Sequence, residues 1–139
     1  MREIKFRGKR VDNGEWVYGN LVINQPTKSY RIISDFALCR HAKFTDDSLY
    51  HVSGEIHLVH PETVCQYTGL KDKNGVEVYE GDLIEVCSNK NGLLEVVFIN
   101  DYVGGWVLTH KSTEKHLSLG ARNQTEIEVT GNIHDKKQK

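Results

Sequence analysis

Three Asn-Gly pairs, Asn13-Gly14, Asn74-Gly75 and Asn91-Gly92, punctuate a chain of 139 residues and limit what it can fold into. An Asn-Gly step supplies the two consecutive positive φ angles of a tight hairpin turn, so each pair marks a hairpin where strand-like sequence flanks it. All three are flanked that way. The predicted partners are residues 3–11 with 15–24, roughly 66–71 with 76–79, and 82–88 with 93–99. Gly104-Gly105 marks a fourth hairpin, between Phe98-Ile99 and Trp106-Val107-Leu108. A last strand is expected over about 126–133, where Ile127 and Val129 alternate with Glu128 and Thr130. Tyr30 to Ile33 and Glu55 to Val59 also read as strands. Composition agrees: Val, Ile and Thr total 31 residues against three Ala, and β-branched side chains suit a pleated surface better than a helix. Residues 34–50 are the exception, where Phe36, Ala37, Leu38, Cys39 and Ala42 after a Ser34 N-cap allow one or two helical turns.

The chain also matches itself. Shifted by 61 positions, residues 6–18 lie over 67–79 with identities at Gly8/Gly69, Asn13/Asn74, Gly14/Gly75, Val17/Val78 and Tyr18/Tyr79. With Glu80 as an insertion, Gly19-Asn20-Leu21-Val22 then lies over Gly81-Asp82-Leu83-Ile84. One hairpin device used twice is the expectation. In the second copy, Gly81 suits a tight turn, and the Asp82 carboxylate suits capping of backbone donors before a strand begins. Some five short strands run from there to residue 133, the count of an SH3-like barrel.

Charge narrows function. Eighteen Lys and Arg oppose 19 Asp and Glu, a net charge of −1, whereas chains that grip nucleic acid non-specifically carry a basic surplus. The first ten residues hold a local +4, and on a strand Lys5, Arg7 and Lys9 share one face. That basic stripe is a candidate contact for phosphate or an acidic partner, set against the plainer reading of a solvated face. The start, Met1-Arg2-Glu3-Ile4-Lys5, has no apolar stretch behind its charges, which predicts no secretory signal and a cytoplasmic location.

Catalytic and metal-binding signatures are sparse. Cys39, Cys65 and Cys87 form no CxxC pair and fit reduced thiols. Cys39, His41, His51, His57, His60 and Cys65 crowd into one stretch, but without the paired short spacings zinc sites use, so no metal and no other cofactor is expected. GxxxxGK, GxGxxG, HExxH and GxSxG are all missing. Enzyme function is not expected. Trp16, Tyr18, Tyr67, Tyr79 and Trp106 fall on hairpins and read mostly as core, whereas Tyr102 falls in a loop, Asn100 to Gly105, and is a candidate contact for a peptide or a base.

The run from Pro61 through Gln66-Tyr67-Thr68-Gly69-Leu70-Lys71-Asp72-Lys73-Asn74-Gly75 to Tyr79-Glu80-Gly81-Asp82 resembles the YopX-like family of phage and prophage proteins. Met1 to Arg7 and Gly131 to Asp135 resemble the same family. The resemblance implies a β-rich fold with an SH3-like barrel and a phage or prophage origin; it implies no activity and no site residues. Together these readings predict a mainly β, hairpin-built chain with at most one short helix. The expected regions are an N-terminal hairpin region at 1–60, an SH3-like barrel at 61–135 and a disordered basic tail at 136–139. The expected function is a non-enzymatic protein-binding or adaptor module in the bacterial host cytoplasm, able to self-associate and without a membrane. The alternative is a nucleic-acid-binding accessory protein using Lys5, Arg7 and Lys9.

Overall fold

A computed structural model describes residues 3–34, 56–86, 92–100, 104–110, 116–119 and 124–135. The chain divides into two compact units, Met1–Gln66 and Tyr67–Lys139. All regular structure among the described residues is β-strand or short 3₁₀ turn, and no helix there is long and apolar enough to cross a membrane.

Unit 1 is an antiparallel meander of β1 (Phe6–Lys9), β2 (Trp16–Asn24), β3 (Ser29–Ser34) and β4 (Ile56–Val59). A 3₁₀ turn, Pro61–Thr63, follows, and β5 (Cys65–Lys71) then returns to β1, pairing Cys65 with Arg7 and Gln66 with Phe6. Proline opens the 3₁₀ turn because its fixed φ suits a first helical position. The chain just past β1 also lies against β4: Arg10 bridges Val59, Val11 N–H donates to Leu58 O, and His60 N–H donates to Lys9 O. The Thr63 hydroxyl locks this seam, accepting from Lys9 N–H at 2.9 Å and donating to His60 O at 2.7 Å. The outer edge of β4 is thereby covered.

Unit 2 begins with the rest of β5, which pairs with β6 (Glu77–Tyr79) through Tyr67↔Tyr79 and Lys71↔Glu77. Four more strands form a second meander, β7 (Asp82–Val86), β8 (Leu94–Ile99), β9 (Gly105–Thr109) and β10 (His116–Ser118). After the 3₁₀ turn Gln124–Glu126, β11 (Ile127–Asn132) returns to β7. Ile84, Val86, Leu94, Val96, Leu108 and Ile127 anchor its core, all 4% exposed or less.

The strand positions follow the sequence expectation, and the chain is mainly β. Four refinements matter. The sheet over 61–135 runs β10-β9-β8-β7-β11, with no pairing between β10 and β11 among the described residues, so a closed barrel is not found there. Asn13 and Asn74 do not carry positive φ: Gly14 (φ 72°) and Gly75 (φ 79°) do, each closing a longer loop, while Asn91 lies outside the described residues. In the first loop Gly14 N–H bonds Arg10 O and Arg10 N–H bonds Glu15 O; in the second Gly75 N–H bonds Asp72 O and Asp72 N–H bonds Val76 O. These four- and three-residue loops need one left-handed glycine rather than two left-handed residues. The two hairpins therefore differ in register, and the proposed copy of 6–22 at 67–84 does not hold as one shape. The repeat that does appear is of topology: each unit is a four-stranded meander whose fifth strand, after a 3₁₀ turn, returns to the first.

Candidate functional site

Among the described residues, the face with the clearest exposed side-chain chemistry belongs to the unit 1 sheet. Register sets Arg7 opposite Tyr18 and Lys9 opposite Trp16, so these four side chains share a face. Alternation carries that face along β2 to Val22; Arg31 lies opposite Val22, and Leu58 lies opposite Arg31. Tyr18, Val22 and Leu58 are 44%, 46% and 43% exposed, more than scattered single surface apolars require when they fall on one face. The opposite face carries the buried Ile32 and Val59.

The basic stripe is not presented as a row of solvated cations. The Arg7 guanidinium lies 4.5 Å from the Trp16 ring centroid and is largely buried; the Lys9 ammonium lies 5.2 Å from the same ring. An indole face attracts cations through its quadrupole, most strongly when water is partly excluded. Lys5 pairs with Glu3 at 3.5 Å, its side chain mostly covered. Arg7 and Lys9 of the stripe are thus brought together around Trp16, whereas Lys5, which precedes β1, pairs with Glu3. Tyr102, Cys39, Cys87, His41, His51, the segment 35–50 and the tail 136–139 lie outside the described residues.

Sequence reasoning missed Tyr18, Val22 and Leu58 as a face, because Trp16 to Asn24 is apolar on both sides of the strand and does not declare which side is covered. It also placed Trp16 and Tyr18 mostly in a core. Tyr67 and Tyr79 do take that role, buried with ring centroids 5.4 Å apart.

In unit 2 the buried acids serve structure. Asp82 Oδ2 accepts from Tyr79 N–H at 2.8 Å, the capping role its place in the sequence predicts. Asp72 accepts from Asn74 and Val76 N–H through Oδ1 and from Val129 N–H through Oδ2, all at 2.8–2.9 Å. Burial pushes the Asp72 carboxyl up, but these three donors and the nearby Lys73 charge outweigh it, and its pKa falls below the ordinary aspartate value. With Lys73 N–H donating to Ile127 O, the Asp72 turn caps groups along β11, an edge-protecting device. No group of three or more His, Cys, Asp or Glu side chains is placed to hold a metal ion among the described residues.

A solved structure, that of protein EF1440 from Enterococcus faecalis, is similar in fold: TM-score 0.53 at 20% identity, covering 96% of this chain and 95% of that one. No curated protein matches the sequence. The sequence model of the YopX protein family matches residues 5–138, nearly the whole chain, and the chain belongs to that family.

Proposed function

We propose that this YopX-family chain is a phage- or prophage-derived, non-enzymatic adaptor of the host cytoplasm that binds protein through the outer face of its unit 1 sheet. The observation that carries the reading is the alignment of exposed Tyr18, Val22 and Leu58 around Arg31 on that face. An aromatic and two aliphatic side chains beside an arginine form the composition protein interfaces favour. Covered edges at β4 and β11 disfavour strand addition at those two edges. The strand order of unit 2, with a 3₁₀ turn before its returning strand, supports reading that unit as an open SH3-like barrel. Self-association through the same face belongs to this reading.

A photo-crosslinking residue at Tyr18, compared with one at exposed Thr130, tests it in prophage-carrying cells. Protein adducts, the chain itself included, are expected at position 18 and not at 130. Equal labelling at both sites, or nucleic acid alone at position 18, would overturn the proposal. The use of Arg7 and Lys9 around Trp16 weighs against the nucleic-acid alternative. Little binding to DNA or RNA is expected at physiological ionic strength, and none that Lys5→Ala, Arg7→Ala and Lys9→Ala together abolish. Micromolar binding lost in that triple variant, with a salt slope of about −0.9 per duplex phosphate contact, would put the alternative first.

A further inference from the structure

The β1–β2 and β5–β6 turns hold their asparagines differently. In the first, Asn13 Oδ1 accepts a hydrogen bond from Glu15 N–H at 2.9 Å, and Asn13 Nδ2 donates to Glu15 Oε2 at 3.3 Å. Reaching the amide two residues ahead folds the Asn13 side chain over the intervening Gly14 peptide. Gly14 is exposed, and a Cβ built there would meet nothing within 4 Å, so no side chain crowds the site. In the second turn Asn74 Nδ2 donates to Glu128 Oε1 at 3.4 Å, and no backbone N–H among the described residues donates to Asn74 Oδ1.

We propose that Asn13 is a self-modification site, where the turn itself promotes conversion of the carboxamide to aspartate and isoaspartate. The Gly14 amide nitrogen, once deprotonated, attacks Asn13 Cγ, and a Gly14 N–Cγ bond forms. The negative charge that develops on Oδ1 falls where Glu15 N–H already donates, a preorganised oxyanion partner. The intermediate collapses by breaking Cγ–Nδ2; the nitrogen takes up a proton and leaves as ammonia. Water then opens the cyclic imide at either carbonyl, giving aspartate or the backbone-lengthened isoaspartate. The net exchange is amide plus water for acid plus ammonia.

Both nucleophiles share one handicap. Gly14 N–H donates to Arg10 O at 2.9 Å and Gly75 N–H donates to Asp72 O at 3.0 Å, and each bond opposes deprotonation to a similar degree. Two differences remain: the donor on Oδ1, which Asn13 has and Asn74 lacks among the described residues, and the Asp72 carboxylate, which holds the Asn74 and Val76 N–H groups on either side of Gly75 and opposes charge on its nitrogen. The consequence is local: an isoaspartate adds a backbone atom inside the loop that the Arg10 N–H to Glu15 O bond closes, beside the Arg10–Val59 bridge.

The test incubates the whole chain, native and in denaturant, at neutral and mildly alkaline pH. Peptide mass spectrometry that separates Asn, Asp and isoaspartate then follows positions 13 and 74. In the native chain Asn13 should convert several-fold faster than Asn74, faster still at higher pH, and the two rates should converge in denaturant. Glu15→Gln, which keeps the backbone N–H, should leave the Asn13 rate within twofold or so. Equal native rates, a faster Asn74, or a disparity that survives denaturation would overturn the proposal.

Discussion

In unit 2, Ile84, Val96, Leu108 and Ile127 sit at 1% exposure or less within one apolar cluster. In unit 1 the most deeply buried aliphatics are Ile32 and Val59, and Arg7 and Thr63 are buried as well. Two meanders with the same strand order are therefore held by different chemistry. Unit 2 relies on apolar area removed from water, worth about 25 cal/mol per Å². Both units add buried hydrogen-bonded polar groups, Asp72 and Asp82 in unit 2 and the Thr63 seam in unit 1, and unit 1 further stacks cations on Trp16. The same topology can thus free one face for contact in one unit while the other holds a conventional core.

The largest expected effect lies in the unit 2 core. Leu108→Ala removes a fully buried side chain from the cluster and should cost about 2–5 kcal/mol in denaturant unfolding, lost transfer energy plus a cavity. A loss under about 1 kcal/mol would mean that the cluster is not what holds unit 2, and the contrast between the units would fall.

Next comes Asp72, the acid that ties the β5–β6 turn to β11. Asp72→Ala orphans three backbone donors and should cost about 2–3 kcal/mol, since the bonds it removes are charge-assisted. The native pKa is lowered, so this contribution is present above the ordinary aspartate pKa of about 3.9 and is lost as pH falls through the lower native value. The acid arm of the stability profile should flatten in the variant; an unchanged profile would remove Asp72 from the account. Uncovering β11 should also raise aggregation on heating.

Gly81→Val should cost about 2 kcal/mol, because φ is 81° there and a β-branched residue opposes that conformation. Gly81 also joins two strands, donating to Val96 O and accepting from Ile133 N–H, both at 2.9 Å. A melting temperature unchanged within error would refute the strain argument.

How much of this was legible in the sequence depends on the range of the interaction. Strands show through alternation and Asn-Gly punctuation because pleating and turn sterics act over a few residues. Gly81 and Asp82 were legible for the same reason. The loop lengths at Asn13 and Asn74 were not, since they are fixed by where Arg10 meets Glu15 and where Asp72 meets Val76 and the distant Val129. Nor was the fate of the basic stripe. Alternation places Arg7 and Lys9 on one face, as the register has them, yet cannot say that Trp16 from the next strand lies beneath both.

The smallest effect decides that last point. Lys9→Met keeps the hydrocarbon stem and both backbone bonds, Lys9 N–H to Thr63 and His60 N–H to Lys9 O, and removes only the charge near the indole. The expected cost is about 0.5–1 kcal/mol, the worth of a partly exposed cation on an aromatic face. Trp16→Leu alone also changes packing, so the coupling must come from the double variant, where the two losses should fall short of additivity by about the same 0.5–1 kcal/mol. A coupling of zero would mean that Lys9 merely passes near Trp16 and contributes nothing there. Unit 1 would then lose half of what distinguishes it from unit 2, and the indole would drop out of the account of why the strand carries these cations.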